Sequence, residues 1–253
     1  MTEEQKTEAH SISQPIPPEG PSNNESEIIK IIKKGKENSQ LNISYSFLFK
    51  VALIGDSGTG KTSILVRFID NIFKDDTSTT IGVDFKIVSL DLGDNTFAKM
   101  QIWDTCGSER FRALTANFLK TCSAFLLVFD LSRKSTFINI DNWIKTIKEN
   151  TKPKFLLLIG NKSDMTAERE VNKEDINSYC EKNSLNYIEI SAKNNDNVEK
   201  IFKEVAFKLY SEIKLKKGSE DKELKEFQVG GYKNITIANE KKDELHRNSC
   251  CKF

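Results

Sequence analysis

The sequence predicts an α/β domain with a mostly parallel six-stranded sheet, one antiparallel hairpin and helices on both faces. Three observations lead there. Apolar runs alternate with helix-period patterns along the middle of the chain, as they do when strands and crossover helices follow one another. Ala124-Phe125-Leu126-Leu127-Val128-Phe129 and Phe155-Leu156-Leu157-Leu158-Ile159 are continuously apolar, which suits strands covered on both faces. Gly93-Asp94-Asn95 joins two strand-favouring stretches, Asp84 to Leu92 and Thr96 to Trp103, and its turn composition predicts the hairpin.

The elements follow in order. Phe47 to Ile54 reads as a buried strand, and Ser63-Ile64-Leu65-Val66-Arg67-Phe68 as the start of a helix. After the hairpin and the strand at Ala124, Phe137, Ile140, Ile144 and Ile147 recur at helical spacing. Ile176, Tyr179 and Cys180 form a second such pattern, and Val198, Ile201, Phe202, Val205 and Leu209 a third. Asn186 to Ile190 is a last short strand. The domain is set at residues 47–212. Residues 1–46 are rich in Glu, Ser, Asn, Gln and Pro and are expected to be a disordered polar extension. Within them Ile28, Ile29, Ile31 and Ile32 mix with Lys30, Lys33 and Lys34, a short amphipathic patch expected to form a transient helix. Residues 213–253 read as a flexible tail.

Composition narrows the function. The 253 residues are 38% hydrophobic and 30% charged, enough for one core plus polar extensions. A formal net charge of +1 offers no overall field for nucleic acid. No run of about 18 apolar residues spans a membrane. Acidic residues follow Met1 where a secretory leader carries bases, and residue 2 is Thr, so neither a leader nor N-myristoylation is expected. Five cysteines without a C-x-x-C pair fit a reducing compartment, without structural disulfides or zinc.

Gly55-Asp56-Ser57-Gly58-Thr59-Gly60-Lys61-Thr62 fits the phosphate-binding pattern G-x-x-x-x-G-K-[ST], and it lies between the first strand and its helix. That context aims backbone N–H groups of Asp56 to Ser63 and the helix dipole at one point. Gly58 and Gly60 let the backbone curl around a phosphate. Lys61 supplies a point charge to the β- and γ-phosphates, and the Thr62 hydroxyl is placed for Mg²⁺.

Asn161-Lys162-Ser163-Asp164 follows the fifth strand. With it the chain resembles the Ras superfamily of small GTPases, whose base-reading motif is N-K-x-D. Asp164 can accept from N1–H and the 2-amino group of guanine, which adenine lacks; adenine would leave the carboxylate unpaired. The resemblance implies that Asn161 meets the base edge and that the Lys162 stem covers the ring. Ser191-Ala192-Lys193 matches the family's S-A-K loop, where the Ala192 N–H meets guanine O6. Trp103-Asp104-Thr105-Cys106-Gly107-Ser108-Glu109-Arg110-Phe111 resembles the Rab family's W-D-T-A-G-Q-E-R-F. In that family Asp104 would hold Mg²⁺ through water and the Gly107 N–H would sense the γ-phosphate. Thr79-Thr80-Ile81-Gly82-Val83-Asp84-Phe85 resembles the Rab first switch, with Thr80 on Mg²⁺ in the GTP state. Phe73 matches the aromatic that stacks on guanine, and Phe85, Trp103 and Phe118 the trio that meets effectors.

The resemblance covers roughly Phe47 to Tyr210 and implies a P-loop NTPase G domain, monomeric, that cycles between GTP and GDP with Mg²⁺ to serve vesicle-mediated transport. Its catalytic positions are Lys61, Thr80, Gly107 and Ser108. Ser108 departs from the pattern: it replaces the glutamine that orients the attacking water, and no arginine lies between Phe68 and Thr80 to act as a finger in cis. Slow intrinsic hydrolysis is therefore expected, and a GTP-loaded scaffold stays open as an alternative. Exchange factors, activating proteins, effectors and a prenyl-binding escort are implied partners. The chain ends Cys250-Cys251-Lys252-Phe253. Tandem cysteines in a Rab tail imply geranylgeranylation of Cys250 and Cys251; a C-a-a-X box on Cys250 is the alternative. Either places the protein on the cytoplasmic face of an intracellular membrane, with a cytosolic pool.

Overall fold

The computed structural model describes residues 29–32, 44–75, 80, 82–107 and 119–216. The strands are β1 (Lys30–Ile32), β2 (Phe47–Ile54), β3 (Val83–Asp91), β4 (Phe97–Thr105), β5 (Ala124–Asp130), β6 (Phe155–Asn161) and β7 (Asn186–Glu189). The helices are α1 (Lys61–Asp70), α2 (Lys134–Ile138), α3 (Ile140–Asn150), α4 (Lys173–Asn183) and α5 (Val198–Lys216). The sheet order is β1-β3-β4-β2-β5-β6-β7. From β4 to β7 all neighbours pair in parallel, and β3 and β4 form the hairpin.

Side-chain alternation along β2 splits the interior into two cores. Phe49, Val51 and Leu53 pack with Ile64, Leu65 and Phe68 of α1 and with Ile201, Phe202, Val205 and Leu209 of α5. Ala52 and Ile54 join Phe125, Leu127 and Phe129 of β5 under α2, α3 and α4. Every residue of β5 is buried, as its continuous apolar run implies. The hairpin turn needs positive φ at Gly93, Asp94 and Asn95 (84°, 51° and 54°), residue types that tolerate it. Cys106, Cys122 and Cys180 are buried free thiols, and burial pushes Cys122 up to about 12 and Cys180 up to about 11.

One expectation is overturned. Residues 29–32 do not stand outside the fold as part of a disordered extension, nor do they form a helix. Lys30–Ile32 is a seventh strand, antiparallel to β3, with Ile31 opposite Leu90. Ile29 is 2% exposed and belongs to the α1 and α5 core. The physical reason is the open sheet edge: Ser89 to Asp91 present unpaired backbone groups beside buried Val88 and Leu90, and an isoleucine-rich segment satisfies both needs. Two of the sheet's pairings are thus antiparallel, where one was expected.

Candidate functional site

The loop between β2 and α1 is shaped by what surrounds it. Gly55 has φ 151°, and a Cβ there would lie 2.0 Å from the Val128 carbonyl oxygen. Gly60 sits in the left-handed region at φ 89° and starts α1 with no side-chain cap, so the first-turn N–H groups face outward uncapped. Lys61 is buried, and its ammonium bends back to donate to the carbonyls of Gly55 and Asp56, both at 2.8 Å. Burial, opposed by the Asp104 and Asp56 carboxylates, brings that ammonium down to about 8. Asp56 contributes backbone only: its carboxylate turns away and accepts from Asn139 Nδ2 at 2.7 Å and Trp143 Nε1 at 2.8 Å. Thr59 is fully buried, and its hydroxyl closes the loop on the Asp56 carbonyl.

Three oxygen-bearing side chains meet beside Lys61. The Thr62 hydroxyl donates to Asp104 Oδ2 at 2.6 Å and lies 2.6 Å from the Thr80 hydroxyl. Asp104 is 2% exposed; burial raises its carboxyl, while the Thr62 hydrogen bond and the Lys61 charge hold it down. Its Oδ1 is buried with no partner among the described residues. A buried carboxylate oxygen in need of a partner, beside two hydroxyls, suits a hard divalent cation that takes oxygen ligands. Gly107 follows β4 and presses on the phosphate loop so closely that a Cβ would lie 2.2 Å from Asp56 C and Ser57 N.

The segment Asn161 to Asp164 starts at the last residue of β6 and reaches the same loop. Asn161 donates to the Thr59 carbonyl at 2.8 Å, and its Oδ1 accepts from the Ala192 N–H at 3.3 Å. Asp164 accepts from the Ser191 hydroxyl at 2.5 Å. Lys162 holds φ 67°, and its ammonium pairs with Asp130 Oδ2 at 2.6 Å. Burial pushes the Asp130 carboxyl up, but the hydrogen bonds from Lys162 and Ser132 outweigh it and hold the group below the usual range.

Local spacing does not reveal every residue of this site. Arg67, on α1, donates to the Ala192 carbonyl at 2.8 Å and the Lys193 carbonyl at 2.9 Å, and lies 5.8 Å from the Phe73 ring centroid. One guanidinium thus gathers Phe73, Ala192 and Lys193. Asp130, Arg133, Asn139 and Trp143 also reach the site by long-range contacts with no motif to announce them. Phe85 and Trp103 pack with ring centroids 4.9 Å apart and their planes tilted by 39°, and Phe85 is exposed. Ser108, Phe118, Cys250 and Cys251 lie outside the described residues.

A glycine loop that caps a parallel strand, with its partners at the carboxyl ends of neighbouring strands, defines a nucleotide-binding α/β protein. The Ras family model matches residues 50–211, and the chain belongs to that family. It is 44% identical to the "Ras-related protein Rab-1" of Theileria parva over 171 residues, 67% of this chain and 77% of that one. It is 41% identical to the "Ras-related protein RABA1b" of Arabidopsis thaliana over 208 residues, 82% of this chain and 95% of the relative. The "Ras-related protein YPTC6" of Chlamydomonas reinhardtii is 36% identical over 211 residues. The chain is a Rab-like small GTPase, a GTP-binding switch of the Rab type.

Proposed function

We propose that this GTPase cycles on a membrane and recruits effectors in vesicle-mediated transport when GTP-bound. The observation that carries the reading is the meeting of Thr62, Thr80 and Asp104. It ties the phosphate loop to the segment before β3 and to the end of β4, with contacts of 2.6 Å. Two segments held through one cluster can both respond when a γ-phosphate arrives or leaves.

In the reaction a water oxygen bonds to the γ-phosphorus, the bond from phosphorus to the β–γ bridging oxygen breaks, and GDP and phosphate leave. Lys61 and the N–H groups of Ser57 to Ser63 meet the phosphate charge, and the Gly107 N–H meets the γ-phosphoryl group. Thr62, Thr80 and Asp104 would hold Mg²⁺, which would supply positive charge against that of the phosphates. Asp164 selects guanine, Asn161 and the Ala192 N–H meet the base edge, and Phe73 and the Lys162 stem flank the ring, with Ser191 and Lys193 forming the loop beneath. Ser108 is too short to accept from the water and donate to the phosphoryl group together, so intrinsic hydrolysis is slow. Phe85, Trp103 and Phe118 form the effector surface. Geranylgeranyl groups on Cys250 and Cys251 supply anchoring of about 0.8 kcal/mol per buried methylene.

Chromatography of the nucleotide that copurifies tests the reading. GDP or GTP is expected, and Asp164→Asn should weaken both while admitting xanthine nucleotides. Adenine nucleotide in the wild type, or unchanged GDP affinity in the variant, sinks it. Cys250→Ser with Cys251→Ser should move the protein from the membrane to the soluble fraction; retention there would refute the lipid anchor.

A further inference from the structure

No arginine lies between Phe68 and Thr80, but the fold brings one to the phosphate loop from beyond β5. Arg133 lies 76 residues after Ser57, and its Nη2 donates to the Ser57 carbonyl at 2.8 Å. A Cβ built on Gly58 would lie 3.4 Å from Nη2 and 3.6 Å from Nη1, so the guanidinium covers that turn of the phosphate loop. Its Nε–H is buried and has no partner among the described residues.

The backbone that carries Arg133 is tightly held. Its N–H donates to the Asp130 carbonyl at 3.0 Å, and its own carbonyl accepts from the Thr136 hydroxyl at 2.7 Å and the Thr136 N–H at 3.1 Å. Asp130 is itself pinned by Lys162 at 2.6 Å. The guanidinium therefore projects from a fixed point.

Two consequences follow from this placement. In a trans peptide the C=O and N–H point in opposite directions. A guanidinium that holds the Ser57 carbonyl turns the Gly58 N–H the other way, away from Arg133, and that N–H meets no acceptor among the described residues. The guanidinium also brings its positive charge to the loop itself, bonded to the Ser57 carbonyl and lying over Gly58.

We propose that Arg133 is a positioning residue and auxiliary cation for the nucleotide's phosphates: it orients the Ser57–Gly58 peptide and adds charge to the phosphate loop, slowing nucleotide release. The proposal rests on the reading that this loop holds the phosphates of GDP and GTP. It assigns Arg133 a role in retention, separate from the finger that hydrolysis lacks.

Release of fluorescent GDP and GTP analogues into excess unlabelled nucleotide tests it, at ionic strengths from about 0.05 to 0.5 M, where screening of exposed charges changes most. Arg133→Met should speed release of both analogues about tenfold at low salt, which corresponds to about 1.4 kcal/mol. Arg133→Lys keeps the charge without the planar fork. It should recover part of the loss at low salt and less at high salt. Thermal unfolding of both variants checks that each is folded. Release from the methionine variant at the wild-type rate overturns the proposal. So do methionine and lysine variants that release equally fast at every salt, since the charge then contributes nothing. A wild type that holds no guanine nucleotide would instead overturn the nucleotide reading, and this proposal with it.

Discussion

Asn161 joins the end of β6 to the glycine loop before α1: its Nδ2 donates to the Thr59 carbonyl at 2.8 Å, across 102 residues of sequence. The two packed so closely in folding that a Cβ on neighbouring Gly60 would lie 2.4 Å from the same nitrogen. Thr59 is fully buried, so no water replaces a lost donor. Asn161→Ala should therefore cost about 1–3 kcal/mol of folding stability, the penalty for an unsatisfied buried carbonyl. It should also speed GDP release, because the loop loses its brace. Chemical denaturation and GDP release measured on one preparation check this; wild-type values for both would disprove the coupling.

Lys61 predicts a pH dependence of opposite sign for folding and for binding. Its ammonium sits at about 8 in the folded chain against an ordinary 10.5. Between those values the unfolded chain holds the extra proton, so this group makes the fold more stable as pH rises. A phosphate needs the protonated form, so nucleotide affinity should fall as pH rises through about 8. Titrating GDP between about pH 7 and 9 should show that decline in the wild type. Lys61→Met should bind weakly and without it. An equal slope in both proteins would remove Lys61 as the cause.

Ile29 tests the seventh strand. Its burial is worth about 1.5–3 kcal/mol relative to exposure, and a carboxylate there would sit in an apolar core. Ile29→Asp should release β1 and leave the rest of the sheet intact. Amides of Ser89 to Asp91 should then exchange hydrogen faster, while those of β5 stay protected. Unchanged exchange at β3 would mean that β1 does not depend on this anchor.

Ser108→Gln should raise single-turnover GTP hydrolysis with little change in nucleotide affinity, because the restored carboxamide acts mainly in the transition state. A tenfold gain would correspond to about 1.4 kcal/mol. A wild-type rate equal to the variant's would mean that another group already orders the water.

What the sequence determined by itself is local. The strand from Phe47 to Ile54, the glycine turn and the helix after it are written in consecutive residues, since apolar periodicity and glycine's access to positive φ act over a few positions. The order of elements and the parallel pairing followed from their alternation, because crossover connections leave few topologies. Tertiary structure decided the rest. Residues 29–32 read as a polar extension until an open edge at β3 supplied backbone partners, and backbone pairing leaves no side-chain code to read. Arg67 holds the Ala192 carbonyl from 125 residues away, and Arg133 reaches Ser57 across 76. Such contacts depend on where two distant backbones finish in space, which no spacing within either segment records. Asp56 shows the same divide: its place in the motif was legible, but only the packing at α3 turned its carboxylate toward Asn139 and Trp143.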